Sequence, residues 1–221
     1  GGGVMLAATA FSLVMPGIEA ARAVWAEAIA LPVFAAAVVA GSALLIGLDR
    51  VLPHSHFTNG PVMLQAGNAA LARRVRGLWL FVFAIALHNL PEGLAVGVSA
   101  GSAAASPVSI GIGLQNLPEG LVVAMALVSL GYRAGQATLV ALATGLVEPV
   151  GGVIGASLVQ GSAMWLPLGL GLAAGAMLHA VSHDVIPESR RGGHENAASI
   201  GLLLGFVVMT GLDVGLDVGL G

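Results

Sequence analysis

The sequence predicts an all-α membrane protein, a polytopic helical bundle, and three observations lead there. Charged residues make up only 9% of the 221, against about 25% in a soluble domain, and the mean hydropathy is +0.96. Apolar residues gather in runs near 20 residues long, the length a helix needs to cross the hydrocarbon core of a bilayer. Gly supplies 33 residues, a composition that lets membrane helices approach closely. A chain so poor in charge cannot wet its own surface. That excludes a soluble enzyme, a nucleic-acid binder and a disordered chain, and makes the lipid bilayer the expected partner. With no Cys there is neither a disulfide framework nor a thiolate metal site.

Seven spans are expected, at 1–20, 29–51, 78–99, 106–130, 134–159, 162–186 and 198–218. The first opens Gly1-Gly2-Gly3, without an initiator Met or a basic n-region, so it reads as a helix whose upstream partner precedes the chain rather than as a signal peptide. After the second span comes the one long linker, 52–77. It holds Pro53, His54, His56, Asn59, Gly60 and Pro61, then a basic exit at Arg73, Arg74 and Arg76. The third to sixth spans are joined by short turns, and a second polar linker runs from Glu188 to Asn196. Loops after spans two, four and six carry Arg50, Arg73, Arg74, Arg76, Arg133, Arg190 and Arg191, whereas loops after spans one, three and five carry only Arg22. Positive charge marks the cytoplasmic side. The 52–77 loop and the N-terminal end are therefore expected inside and the C-terminal end outside, with 1–221 forming one transmembrane domain.

One internal repeat stands out. Leu87-His88-Asn89-Leu90-Pro91-Glu92-Gly93-Leu94 recurs 27 residues later as Leu114-Gln115-Asn116-Leu117-Pro118-Glu119-Gly120-Leu121, with seven of eight positions identical. Both copies lie deep in apolar runs. With Glu148 they place three carboxylates mid-span, at about 2.5–3.5 kcal/mol each and roughly 8–10 kcal/mol together on insertion scales. No intramembrane Lys or Arg offsets them, so protons, water or a bound cation must.

The spacing favours a cation. His88 and Glu92, like Gln115 and Glu119, lie four apart and share a helix face, while Asn89 and Asn116 point about 100° round it. Pro91 and Pro118 lack an N–H, which frees the carbonyls of Leu87 and Leu114 and kinks the helix. Such irregularity is tolerated in a membrane where it is buried or lines a polar path. Glu148-Pro149, followed by Gly151 and Gly152, adds a third acid beside a third proline. One imidazole with carboxylate and amide oxygens suits Zn²⁺, with Mn²⁺, Fe²⁺ and Cd²⁺ also accommodated. Without His88 the set would suit Mg²⁺ or Ca²⁺. Met5 offers a thioether, although Met in a span is ordinarily packing.

Other polar residues carry two readings each. His179, His183 and Asp184 form either a relay or an interfacial group. His54 and His56 either capture metal or sit in a solvated loop. Asp49 beside Arg50 reads as a cap or interfacial pair. Asp213 and Asp217 belong to a repeated Gly-Leu-Asp-Val, and Gly169, Gly171 and Gly175 mark close helix packing.

The twin motifs resemble the fourth and fifth membrane helices of the ZIP (Zrt/Irt-like protein) divalent metal transporters. Gln115 opening the second motif, with Gly145-Leu146-Val147-Glu148-Pro149, is similar to the GufA-like branch. The stretch Met5-Leu6-Ala7-Ala8 to Pro16-Gly17 resembles that branch's second helix, and His183-Asp184-Val185-Ile186-Pro187-Glu188 its seventh.

The resemblance implies eight helices, the first absent here, and a binuclear site halfway across the membrane. Carried over by position, one metal would be held by Met5, His88, Glu92, Gln115 and Glu119. The other would be held by Asn89, Asn116 and Glu148, with Glu92 or Glu119 bridging. Asn116 departs from the pattern, an Asp standing there in a close member, so the second metal has a neutral, weaker ligand. His183, Asp184, His194 and Glu195 fall at cytoplasm-side metal positions of the family. The implied activity is transport of Zn²⁺, with Cd²⁺ able to substitute, into the cytoplasm by alternating access. The implied setting is the bacterial inner membrane, as a homodimer without an organic cofactor. Two rival classes are an intramembrane metalloenzyme and a proton-coupled carrier of an organic substrate. Neither His-Glu-x-x-His nor the Glu-x-x-His pairs of di-iron bundles occur, and proton carriage does not require an amide beside each acid.

Overall fold

A computed structural model describes residues 2–51, 69–102, 105–190 and 195–220. Among these residues, seven stretches are long and apolar enough to cross a membrane: Gly2–Val24, Glu27–Gly47, Gly77–Ser99, Val108–Ser129, Ala134–Gly161, Trp165–His183 and Glu195–Leu212. They correspond one for one with the expected spans. The linker carrying His54 and His56, and His194, lie outside the described residues.

The first span is helical in three parts: α1 (Gly2–Ala8), a π-helical stretch Thr9–Val14, and α2 (Met15–Val24). Thr9 Oγ1 donates back to the carbonyl of Met5 at 2.7 Å, a bond that bends helices. Pro16 then enters α2 without an N–H, and the widened turn before it relieves the clash of its ring. The second span is α3 (Glu27–Val51). Next come α4 (Ala69–Ser99) and α5 (Ala105–Ser129), each with its motif proline inside, Pro91 and Pro118. The fifth span, expected as one helix, is two: α6 (Ala134–Gly145) and α7 (Val147–Gly161), broken at Leu146. Pro149 explains the break, because it cannot donate to Gly145 and its ring crowds that carbonyl. The sixth span runs through α8 (Trp165–Ala180), a second π stretch Val181–Val185 and α9 (Ile186–Arg190). The last is α10 (Glu195–Leu220).

The chain turns after α4 at Gly101 (φ +79°) and between α5 and α6 at Gly131 (φ +89°), a backbone region that only Gly enters freely. Elsewhere glycine brings helices together. The most extensive pairing is α4 with α7. A Cβ on Gly93 would strike the carbonyl of Glu148, and one on Gly97 the carbonyl of Gly152. In return, Gly151 and Gly155 press on the carbonyls of Leu90 and Leu94. The pairing of α3 with α8 is similar: Gly41 lies on Leu172 and Gly175 on Val38, and Ser42 Oγ donates to the carbonyl of Gly175 at 2.7 Å. Gly169 and Gly171 lie against the side chains of Val98 and Ala37 with no room for a Cβ, so the three glycines expected to mark packing do so.

The main apolar cluster holds α8 at its centre, with Leu170, Ala173, Ala174 and Met177 buried against Met5, Leu13, Ala95, Val98, Val108 and Ile112. Toward the arginine-bearing end, Trp79 Nε1 donates to the Tyr132 hydroxyl at 3.0 Å, the rings meeting edge to face. Large apolar side chains such as Leu139, Leu142, Val153, Leu203 and Val207 face outward. That surface suits lipid rather than water.

Candidate metal centre

Three helices build the polar centre. α4 supplies His88, Asn89 and Glu92, α5 supplies Gln115, Asn116 and Glu119, and the first turn of α7 supplies Glu148. The motif spacing sets the faces and the glycine contacts set the depth, since Gly93 lies directly on the backbone of Glu148. Glu92 is 0% exposed, Gln115 1% and His88 2%, and Asn89 and Glu119 are also buried. Asn116 and Glu148 are half-buried.

The amides hold the acids in pairs. Gln115 Nε2 donates to Glu92 Oε1, and Asn116 Nδ2 donates to Glu148 Oε1, both at 2.5 Å. Asn89 Nδ2 donates to the carbonyl of Thr144 at 2.8 Å. That carbonyl is near the end of α6, where the last helical carbonyls lack helical partners. Several buried oxygens have no hydrogen-bond partner among the described residues: Glu92 Oε2, both carboxylate oxygens of Glu119, Asn89 Oδ1 and Asn116 Oδ1. Such atoms are costly in a low-dielectric interior unless a cation or water meets them. Glu92 lies within electrostatic reach of both Glu119 and Glu148. Among the described residues no three His, Asp or Glu side chains converge tightly enough to enclose one ion. The acids are gathered, but two of them point at amides.

The set divides by access. A cavity of about 560 Å³ is lined by Asn89, Asn116, Glu119, Thr138, Thr144 and Glu148. It reaches Ile85, Ala124 and Ala141, one to two turns toward the arginine-bearing end. His88, Glu92 and Gln115 do not line it and stay sealed. Divalent cations are the ligands this chemistry fits: three carboxylates, one imidazole and three amides, with no Lys or Arg among them.

The remaining candidates are scattered. Met5 is buried in the apolar cluster with Ala95 and Ile112, one turn from Glu92 and Gln115 respectively, and its neighbours there are apolar. His183 and Glu195 are exposed. The side chains of Asp184, Asp49, Arg50, Asp213 and Asp217 lie outside what the structure describes. Sequence reasoning missed the carbonyl of Thr144 as the partner of Asn89. Pro149 was the available signal, because a proline four residues past Gly145 ends α6 there.

A family model described as "ZIP Zinc transporter" matches residues 55–213. The chain is 47% identical, over 97% of its own length and 69% of the relative's, to "Zinc transporter ZIPB" of Bordetella bronchiseptica. It is 44% identical to "Zinc transporter GufA" of Myxococcus xanthus, over 93% of this chain and 80% of the relative. To human "Zinc transporter ZIP11" it is 41% identical, over 71% of this chain and 50% of the relative.

Proposed function

This chain belongs to the ZIP zinc transporter family, a family of multi-pass membrane transporters rather than enzymes, and we propose that it carries Zn²⁺ into the cytoplasm by alternating access. The carrying observation is that Glu92 and Glu119 are buried on facing helices with carboxylate oxygens that nothing among the described residues satisfies, beside the half-buried Glu148. A divalent cation offsets that charge and supplies those partners at once.

In this reading the ion arrives from outside and sheds water. It is held by His88, Glu92, Gln115 and Glu119, with Met5 completing the set. A second ion sits on Asn89, Asn116 and Glu148, sharing Glu92 or Glu119. The cavity beside Glu119 and Glu148 is the way toward the cytoplasm, and one helix group moving against another alternates the access. Cd²⁺ follows the same route, since its ligand preferences overlap with those of Zn²⁺. The same proposal places the carrier in a bacterial inner membrane, as a homodimer.

The test is uptake into proteoliposomes loaded with a metal-sensing dye, across a panel of Zn²⁺, Cd²⁺, Mn²⁺ and Fe²⁺ at two pH values. Wild-type protein is expected to take up Zn²⁺, and Glu92→Ala and His88→Ala to take up none while eluting as folded protein. Wild-type uptake by both variants overturns the proposal.

A further inference from the structure

Asn89 differs from the other two amides of the centre in what its donor meets. Gln115 and Asn116 donate to the carboxylates of Glu92 and Glu148, partners that a cation can take over. Asn89 Nδ2 donates instead to the main-chain carbonyl of Thr144, at 2.8 Å. A carbonyl only accepts, so the amide must turn its nitrogen that way. That leaves Oδ1 as the other end of the amide. It is buried and has no hydrogen-bond partner among the described residues. Asn89 and Thr144 both line the cavity, together with Glu148.

The break in the fifth span is what makes the Thr144 carbonyl available. In an unbroken helix it would accept from the N–H of Glu148, four residues on. Pro149 has no N–H for Gly145, and its ring crowds that carbonyl and opens the turn. α6 ends at Gly145, and the N–H of Leu146 folds back on the carbonyls of Ala143 and Thr144. A carbonyl oxygen has two lone pairs, and Asn89 takes one of them. The Thr144 hydroxyl donates to the carbonyl of Ala141 at 2.7 Å, so Thr144 offers Asn89 its main chain and not its side chain.

From these contacts we propose that the break is a positioning device: Pro149 frees the carbonyl of Thr144, and that carbonyl locks Asn89 with its oxygen toward the cation before the cation arrives. The inference rests on the reading of the chain as a Zn²⁺ carrier with a second ion position, and deepens it. A ligand oxygen already in place spares the ion the ordering of a side chain on entry. The end of α6 adds its own field, since the C-terminal end of a helix carries partial negative charge. Half-helix ends of this kind serve cations in other transporters. Thr144 and Pro149 are positioning residues, acting through Asn89.

Two double-mutant cycles on the purified chain in detergent test the device. The first is read by thermal unfolding without metal. Asn89→Leu removes the donor and strands the Thr144 carbonyl, and is expected to lower the melting temperature by about 2–4 °C. With Pro149→Ala also present, the rejoined helix gives that carbonyl the Glu148 N–H, and the loss due to Asn89→Leu is expected to vanish. An equal loss in both backgrounds overturns the device. The second cycle is read by isothermal titration, carried to millimolar Zn²⁺ so that the weaker ion registers. Pro149→Ala is expected to weaken that ion about tenfold. In an Asn89→Asp background the same change is expected to leave its affinity equal or tighter, because a carboxylate presents an oxygen whichever way it turns and no longer faces a carbonyl. A proline that only shapes the helix around Glu148 would weaken the ion equally in both backgrounds. That result overturns the proposal, as does a native chain that binds no second ion. Uptake by the native chain separates the two readings. Transport without either coupling leaves the carrier and removes the device, whereas both couplings in a chain that moves no Zn²⁺ remove the carrier and leave the lock on Asn89.

Discussion

Gln115 reaches across from α5 to α4 and donates its Nε2 hydrogen to Oε1 of the fully buried Glu92. The amide thus presents its donor end to a group that a cation would also seek. A half-turn about the terminal side-chain bond exchanges donor for acceptor. Gln115 can then place its own oxygen beside the carboxylate on one ion. Asn116 stands in the same relation to Glu148.

From this pairing, Gln115→Ala should weaken Zn²⁺ binding about 10–100-fold, the range for losing a group that orients or joins a metal's ligands. Glu92→Gln should abolish high-affinity binding yet leave the melting temperature no lower, because it removes a buried charge while keeping shape and hydrogen bonding. Isothermal titration with Zn²⁺ and thermal unfolding of the same preparations check both.

Asn116→Asp tests the second ion position. A carboxylate there faces Glu148, so like charges should destabilise the metal-depleted protein. Zn²⁺ should recover more than that loss. The expected outcome is a higher bound-metal count by mass spectrometry and a larger Zn²⁺-induced rise in melting temperature than in the parent. At 100 times the dissociation constant, one added ion stabilises by about 2.7 kcal/mol.

Acid should oppose binding. His88 and the three glutamates accept Zn²⁺ only when deprotonated, so each proton displaced on binding lowers apparent affinity about tenfold per pH unit below its titration. The sign is therefore tighter binding as pH rises and weaker binding as it falls, with protons released on loading. Proton release during Zn²⁺ titration in weak buffer measures the number. An affinity that is flat between neutral pH and pH 5 would contradict the carboxylate–imidazole ligand set.

Glycine contacts give a stability prediction with its own control. Gly93→Ala forces a Cβ onto the carbonyl of Glu148 and should cost about 1–3 kcal/mol, lowering uptake because Glu148 moves with its backbone. Gly113→Ala meets nothing within 4 Å and should gain about 0.5–1 kcal/mol from helix propensity, with uptake unchanged. Thermal unfolding and proteoliposome uptake on the pair separate packing from propensity.

The spans were legible because lipid leaves a plain mark: about twenty apolar residues, whatever packs beside them. The polar centre was legible because Glu92, Glu119 and Glu148 violate that mark at a known cost. The π stretches at Thr9–Val14 and Val181–Val185 were not, since an extra residue in one turn changes no hydropathy. The break at Leu146 leaves no mark in hydropathy either, because apolar residues continue on both sides; Pro149 alone signals it. The amide–acid pairing depends on the rotation of α5 against α4, which spacing along one helix does not contain. The seam of α4 with α7 was readable in part: Gly93 and Gly97, like Gly151 and Gly155, are four apart, the small-residue spacing of close membrane helices.

That seam also acts as a ruler. Each helix offers its partner two notches one helical step apart, and each notch is filled by the other's backbone. Sliding α4 along α7 by a single residue would set every notch against a side chain. The next matching register is four residues away, about 6 Å at 1.5 Å per residue. Hydrophobic matching to the bilayer sets the height of one helix against another only loosely. Here backbone contact does it closely, holding the main chain of Glu148 against Gly93, the residue after Glu92, and opposing slippage by a fraction of a turn.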